Sequence, residues 1–209
     1  LARRRALGLY RERTLVEGPQ GVELNVGGRP LLSFCSNDYL GLAGHPAVAA
    51  ALAEGARRYG VGSGASHLIS GHGRAHHALE EALADFTGYP RALLFSTGYM
   101  ANLAVLSALL GRGDAAVHDR LNHASLIDGA VLSRARLLRY AHCDVQAAAA
   151  RLAQVPDGRA AVIASDGVFS MDGDITPAGA LADLAAARGA WLMIDDAHGL
   201  GVVGPRGRG

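Results

Sequence analysis

Short apolar segments alternate with helix-patterned segments through the second half of the chain, and this alternation limits the fold more than any other feature. The predicted strands are Arg91–Ser96, Ala115–His118, Leu137–Tyr140, Ala160–Ser165 and Ala190–Ile194. The predicted helices between them are Tyr99–Leu110, Ala124–Ser133, Val145–Val155 and Pro177–Arg188. Strands joined by helices of this length pair in parallel, so the pattern predicts an α/β fold with a mainly parallel sheet and helices on both faces.

The first part of the chain carries different signals. An exposed helix is expected to run from the N-terminus to about Gly18-Pro19, and two apolar segments around Gly27-Gly28 predict a β-hairpin. Further helices are predicted from His45-Pro46 to about Tyr59 and from about Arg74 to Thr87, on either side of an irregular, glycine-rich segment, Gly60–Gly73. We expect residues 1–45 to form an N-terminal segment and residues 46–209 to form one large domain.

Composition excludes several classes of partner. The formal net charge is +1, which gives no reason to expect a nucleic-acid partner. No apolar run reaches the roughly 18–20 residues that a membrane helix needs, and no signal segment is apparent, so a cytoplasmic location without membrane contact is expected. All 20 basic residues are arginine, so the chain has no lysine.

Polar residues follow the predicted strands, where ligands bind in open α/β sheets. Gly98-Tyr99 opens a helix whose N-terminus suits a phosphate, although a plain helix cap is the alternative. His123 begins the next helix, where it either faces a ligand or has a structural role. Ser170 lies in a polar segment that also reads as a simple turn.

The last predicted strand ends in Asp195-Asp196-Ala197-His198. A carboxylate at the end of an apolar strand needs a charged or hydrogen-bonding partner, because burying a charge alone is costly. A protonated pyridine nitrogen is one such partner for Asp195. His198, three residues further on, would be able to reach the oxygen of the same ring.

Together these segments resemble the α-oxoamine synthase family, which belongs to the fold-type-I enzymes that depend on pyridoxal 5'-phosphate (PLP). The resemblance covers essentially the whole chain, and its motifs are Ser36–Leu42, Gly62–Gly64, Leu121–Ser125, Gly167–Asp174 and Asp195–Gly199. Members condense an amino acid with an acyl thioester and release CO2. Gly98–Asn102 and Asp195–Gly199 favour the members that join L-alanine to pimeloyl-CoA or a pimeloyl-carrier protein in biotin biosynthesis. A 2-amino-3-ketobutyrate CoA ligase, or another α-oxoamine synthase, is the alternative.

The resemblance implies a role for individual residues. Gly98 and Tyr99 would contact PLP, Ser170 and His198 its ring hydroxyl, and Asp195 its ring nitrogen. His123 would stack on the ring and contact substrate, and His123, Asp195 and His198 would be the catalytic residues. Arg11, or alternatively Arg13, would bind a substrate carboxylate. The family also implies a homodimer, with the segment around Gly62 and Gly64 at its interface.

One departure from the family is large. The family's Schiff-base lysine follows the Asp-x-x-His segment, and this chain reaches Gly209 without a lysine. We therefore expect an N-terminal fragment, inactive alone, that lacks the end of the large domain and the small C-terminal domain. A lysine-less, non-catalytic partner subunit is the alternative from another functional class.

Two further patterns are typical of other classes of protein. Gly199–Gly204 matches the G-x-G-x-x-G dinucleotide fingerprint, but the following Pro205–Gly209 does not suit a helix, so a nucleotide-binding role is not expected. His72, His76 and His77 lie at the start of a predicted helix, and His72 and His76 have a spacing that suits zinc. The glutamate of the H-E-x-x-H motif is missing, so no metal site is expected.

Overall fold

The computed structural model describes residues 1–209 and divides into two compact units, Leu1–Gly71 and His72–Gly209. The division expected after residue 45, between an N-terminal segment and one large domain, stays a prediction. None of the helices combines the length and hydropathy required to span a lipid bilayer.

The first unit contains two helices, a hairpin and a single π-helical turn. Its elements are α1 (Ala2–Ala6), β1 (Glu23–Val26), β2 (Arg29–Leu32), α2 (Pro46–Tyr59) and the π-helical turn His67–Gly71. The predicted hairpin is confirmed: β1 and β2 pair antiparallel, and Gly27 and Gly28 both have positive φ, as a two-residue turn of type I′ requires. The prediction of a long opening helix is wrong, because α1 ends at Ala6. It buries no residue that would stabilise a longer helix, and Gly8, two residues further on, has a φ of +67°.

The second unit is the predicted α/β domain. Its elements are α3 (Arg74–Thr87), α4 (Gly98–Leu109), β3 (Ala115–Asp119), α5 (Ala124–Leu132), β4 (Arg136–Tyr140), α6 (Val145–Leu152), β5 (Ala161–Asp166), α7 (Ala178–Ala187) and β6 (Trp191–Asp195). A short 3₁₀ turn, Pro205–Gly207, follows. The strand predicted at Arg91–Ser96 is wrong, because the segment pairs with no other strand of the chain and therefore forms no ladder.

The four strands β3 to β6 form a wholly parallel sheet in the order β4-β3-β5-β6. The two central strands, β3 and β5, are buried along their whole length. The chain moves from β3 outward to β4, then crosses back over β3 to β5 and continues to β6. The direction of winding thus reverses between β3 and β5, which makes the carboxyl ends of these two strands the expected place for a ligand.

Helices cover both faces of this sheet, as the sequence predicts. On one face, α4 and α5 pack against alternate strand residues, in a core that includes Leu106, Leu126 and Val162. On the other face, α6 and α7 enclose a core that includes Ile163 and Leu181. Because Val162 and Ile163 are adjacent on β5, their side chains point to opposite faces, and each face has its own packed core.

Candidate active site

The carboxyl ends of β3 and β5 are joined by the side chain of Asn122. Its Nδ2 donates to the carbonyl oxygen of Ala164 at 2.8 Å, and its Oδ1 accepts from the backbone N–H of Asp166 at 3.1 Å. An asparagine is suited to this place because one amide group both donates and accepts. The two strand ends are thereby fixed where the winding of the sheet reverses.

His123 is held in place by its neighbours at the start of α5. Its backbone N–H donates to the carboxylate of Asp166, at 3.1 Å and 3.3 Å from the two oxygens. Its ring Nδ1 lies 2.7 Å from the hydroxyl oxygen of Ser125, and caps the helix by accepting from the Ser125 N–H at 3.3 Å. Nδ1 is therefore engaged within the protein, and Nε2 is the nitrogen available to a ligand.

Asp195 is oriented by two neutral donors at the end of β6. The side-chain amide of Asn102 donates to Oδ2 at 2.6 Å, and the backbone N–H of Ala197 donates to Oδ1 at 3.1 Å. The same amide of Asn102 lies 2.8 Å from Ser125 Oγ, so a single buried side chain connects Asp195 with the start of α5. Neutral donors leave the carboxylate charge uncompensated, which suits a cationic ligand group.

The adjacent Asp196 has a different environment. Its carboxylate packs against the backbone of Gly199 and Gly167, where an added Cβ would lie 2.0 Å and 2.7 Å from Oδ1. Burial, and then the charge of Asp195, raise the pKa of Asp196 above its usual range. Of the two carboxylates, Asp195 faces the cavity described below and Asp196 does not.

The start of α4 faces the same place. Thr97 caps the helix by accepting from the N–H of Met100 at 3.1 Å, and Gly98 and Tyr99 form its first turn. The Tyr99 hydroxyl donates to the Asp128 carboxylate, and this hydrogen bond is the main cause that raises the pKa of Tyr99. The Tyr99 ring stands edge-on to the His123 ring, with a centroid distance of 6.4 Å.

Ser170 lies in a turn, Gly167–Asp174, that His142 ties to the sheet. His142 Nδ1 lies 3.0 Å from Asp119 at the end of β3, and Nε2 lies 3.0 Å from Asp174. The ring also packs edge-on against buried Phe169, at a centroid distance of 4.4 Å. Burial lowers the pKa of His142, but the two carboxylates outweigh it and the net direction is upward.

Asp166 is the most strongly perturbed carboxyl group near these residues. Burial raises its pKa from 3.8 to about 6, and the charge of Asp195 acts in the same direction. The hydrogen bond from the His123 N–H and the charges of His123 and His198 oppose the increase. A carboxyl group that titrates near neutral pH beside two histidines is typical of a catalytic or binding site.

These residues enclose one cavity of about 210 Å³. Its lining residues are Gly98, Tyr99, His123, Ser125, Asp166, Ser170, Asp195, Ala197 and His198. All the residues to which the sequence assigned a cofactor contact therefore lie together, and so do the three expected catalytic residues. Arg11 and Arg13 lie in the first unit and are exposed.

Three polar residues of this site had no role in the sequence interpretation, namely Asn102, Ser125 and Asp166. Asn102 did carry a signal, because it is a single amide among the apolar residues of α4. Ser125 ends the Leu121–Ser125 motif, but a serine in a first helical turn is common, and so is an aspartate such as Asp166 after a strand, so neither residue type indicated a role.

A larger cleft of about 350 Å³ lies at the opposite edge of the sheet. It is formed where α6 and α7 end and β5 and β6 begin, and Arg159 and Arg188 contribute to its walls. Ligands of open α/β sheets bind at the carboxyl ends of strands, whereas this cleft lies at the amino ends. The smaller cavity is therefore the better candidate for the active site.

Comparison with known proteins identifies the family of this chain. Residues 29–208 match the family model described as aminotransferase class I and II. Over all 209 residues, the chain is 61% identical to an 8-amino-7-oxononanoate synthase of Nitrosomonas europaea and 60% identical to one of Pseudomonas putida. It covers 54% and 53% of those proteins, so it spans about half the length of the curated relatives it matches.

Solved structures show the same architecture. A serine palmitoyltransferase of Sphingomonas wittichii superimposes on the whole chain with a TM-score of 0.93 at 34% identity, and 53% of that protein is covered. A serine palmitoyltransferase of S. paucimobilis with PLP-myriocin bound gives 0.85 at 36% identity, over 90% of this chain and 47% of the other. An 8-amino-7-oxononanoate synthase of Francisella tularensis gives a TM-score of 0.69 at 37% identity, over 84% of this chain and 48% of the other.

Proposed function

The chain belongs to the class I and II aminotransferase family, and from that premise we propose that the complete protein uses PLP to condense L-alanine with a pimeloyl thioester. The products would be 8-amino-7-oxononanoate, CO2 and the free thiol of CoA or of a carrier protein, as in biotin biosynthesis. The observation that carries this proposal is the identity of about 60% over every residue of the chain to proteins named for that activity.

The residues that line the cavity suit the phosphate, the ring nitrogen and the ring hydroxyl of PLP. We propose that the first turn of α4, at Gly98 and Tyr99, holds the phosphate, because the free N–H groups and the dipole of a helix N-terminus favour an anion. Asp195 would pair with the ring nitrogen, and Ser170 and His198 would contact the ring hydroxyl. The fit of Asp195 rests on its fixed orientation by Asn102 and Ala197, two donors that do not neutralise its charge.

Each residue then has a defined task. When bound, PLP supplies an electron sink for the bond between Cα and the carboxyl carbon of alanine. Asp195, held in place by Asn102, would keep a proton on the ring nitrogen, which would make that sink stronger. His123, fixed through Nδ1 by Ser125, would stack on the ring and contact the substrate. Arg11, with Arg13 as the alternative, would bind a substrate carboxylate by a bidentate pair.

The chain by itself is expected to be inactive. It has no lysine, so no side-chain amine is available to link PLP covalently, and arginine stays protonated at any relevant pH. A lysine-less, non-catalytic subunit therefore remains the second candidate function. A lysine downstream of His198 in the complete reading frame would exclude that candidate, and its absence there would support it.

The choice of amino acid distinguishes the proposed activity from those of other family members. The test is thiol release by the complete, PLP-loaded protein with pimeloyl-CoA and L-alanine, glycine or L-serine in turn. We expect turnover with L-alanine to be fastest. Faster turnover with glycine would point to 2-amino-3-ketobutyrate CoA ligase chemistry. Faster turnover with L-serine, above all with a long-chain acyl-CoA, would point to the serine palmitoyltransferase reaction.

We further propose that the complete protein is a cytoplasmic homodimer. The support is the family resemblance of the glycine-rich segment around Gly62 and Gly64. In this segment Val61 and Leu68 have almost fully exposed side chains. Sedimentation at micromolar concentration is expected to give a dimer, and a monomer alone would contradict the proposal.

A further inference from the structure

The geometry points to a divalent transition-metal site, formed by His72, His77 and Glu80 at the start of α3, that is separate from the cavity described above. One ligand atom from each of these side chains lies within 4.8 Å of the others. His72 Nε2 is 3.4 Å from His77 Nδ1 and 3.9 Å from Glu80 Oε2. In a tetrahedral zinc site with bonds of about 2.0–2.1 Å, neighbouring ligand atoms are about 3.3 Å apart. The three side chains therefore need only small movements to bind one ion.

Two surrounding interactions orient these ligands. Glu80 Oε1 accepts a hydrogen bond from the backbone N–H of Leu94 at 3.1 Å, which fixes the carboxylate and leaves Oε2 beside His72. On the far side of the His77 ring, Nε2 lies 3.4 Å from Glu81 Oε1. A carboxylate on the outer nitrogen sets the histidine tautomer, so that Nδ1 presents a lone pair to a metal. This carboxylate–histidine–metal arrangement is common in protein zinc sites.

The proposed site departs from the sequence analysis, which expected no metal site, and it does not use the His72 and His76 spacing weighed there. His72 and His76 have the spacing of two ligands on one helix, but His72 precedes Gly73, the N-cap residue, and is not part of α3. His76 Nδ1 instead accepts from the backbone N–H of Gly73 at 3.1 Å, and so completes the helix cap. His77 and Glu80 are three residues apart on one face of the helix, towards which His72 folds back.

The surroundings allow a cation to enter and remain. The side chains of His72, His77 and Glu80 are 32%, 51% and 19% exposed, so the site opens to solvent and leaves a position for water. The dipole at a helix N-terminus disfavours a cation, but Glu80 and Glu81 supply two negative charges close to it. A bound ion would fasten His72, which lies ahead of the helix, to the second turn of α3.

The test uses the complete, PLP-loaded protein, stripped of metal with a chelator and titrated calorimetrically with Zn²⁺. We expect one ion per chain, with an affinity that falls in acid because protons compete for the imidazole nitrogens. Loss of a direct ligand, in His72→Ala or Glu80→Gln, is expected to weaken this binding by about a hundredfold. Loss of the orienting carboxylate, in Glu81→Gln, is expected to weaken it by about tenfold.

His76→Gln is the matched control, because it removes a histidine from the same turn without removing a ligand. It is expected to bind Zn²⁺ like the unchanged protein. Circular dichroism verifies that each variant is folded, and metal bound by PLP itself cancels in the comparison between variants. The site is wrong if His72→Ala and Glu80→Gln keep the full affinity, or if His76→Gln loses as much affinity as His72→Ala.

Discussion

The amide of Asn102 and the carboxylate of Asp195 are 93 residues apart in sequence, yet Nδ2 and Oδ2 lie 2.6 Å apart. Asn102 is on α4, which begins at the proposed phosphate site, and Asp195 ends β6, where the proposed ring-nitrogen partner is needed. This hydrogen bond therefore connects the two parts of the cavity that would bind opposite ends of the cofactor. It also fixes the direction of Asp195, the carboxylate proposed to be catalytic.

Asn102→Ala is expected to weaken PLP binding by the complete protein by about ten- to a hundredfold. The reason is that a hydrogen bond to a charged group contributes about 1.5–3 kcal/mol, and the freed carboxylate is no longer held in one direction. The measurement is the dissociation constant of PLP from its absorbance or fluorescence. Ser107→Ala, which changes an exposed residue of the same helix, is the control and should bind PLP normally. Equal affinities for the two variants would contradict the role given to Asn102.

Asp195→Asn is expected to lose most of the activity, by about a hundredfold or more, while still folding. An amide does not stabilise a protonated ring nitrogen as a carboxylate does, so the electron sink weakens. Asp196→Asn changes the neighbouring carboxylate, which does not face the cavity, and should retain far more turnover. Steady-state kinetics with L-alanine compares the two, and circular dichroism verifies their folds. The opposite ranking would mean that Asp196 is the functional carboxylate.

His142→Gln is expected to lower the free energy of unfolding by about 1–2 kcal/mol and to loosen the turn that carries Ser170, because a neutral amide does not replace both links. The pKa of His142 is raised in the folded protein, so its charged form stabilises the fold. This contribution is complete below the ordinary histidine pKa of about 6.5, and it is lost as the pH rises through the higher folded-state pKa.

Urea denaturation of both proteins across this range measures the effect. The advantage of the unchanged protein over His142→Gln should be largest in mild acid and should shrink towards alkaline pH. A difference that does not depend on pH would show that His142 contributes by packing on Phe169 rather than by bridging Asp119 and Asp174.

Asp166→Asn is expected to change the free energy of unfolding in a pH-dependent way. Relative to the unchanged protein, the variant should be more stable at pH 8 than it is at pH 4. Burial raises the pKa of Asp166 from 3.8 to about 6, so the folded protein favours the protonated carboxyl group. The stability that this preference contributes is complete below about pH 4 and is lost as the pH rises through 6. Asparagine keeps the acceptor for the His123 N–H and does not titrate. Carbon NMR of the Asp166 carboxyl should give a midpoint near 6, and a midpoint near 4 would contradict the burial argument.

Most of the sheet could be predicted from the sequence, because β3 and β5 are short apolar runs and the helices between strands show clear periodicity. The two errors have physical causes. Arg91–Ser96 has the composition of a strand, but composition does not supply the neighbouring strand that a ladder needs. The opening segment has helix-forming residues, but α1 buries none of them, so propensity alone does not extend it beyond Ala6.

The cavity was predictable in outline because polar residues at the carboxyl ends of neighbouring parallel strands come together. The connections between them were not. Nothing in a single sequence pairs Asn102 with Asp195, or His142 with both Asp119 and Asp174, since these contacts depend on how the helices and turns pack. The family resemblance favours Asp195 over Asp196, and the structure adds that, of the two, only Asp195 lines the cavity.

We propose that this cavity belongs to a PLP enzyme that decarboxylates L-alanine while joining it to a pimeloyl group. In the test, the complete, PLP-loaded protein is supplied with pimeloyl-CoA and with L-alanine that is labelled with ¹³C at the carboxyl carbon. The label is then followed by mass spectrometry. We expect the label to leave as ¹³CO2, unlabelled 8-amino-7-oxononanoate to form in equal amount, and Asp195→Asn to suppress both. Label retained in an acylated product, or no product although PLP is bound, would contradict it.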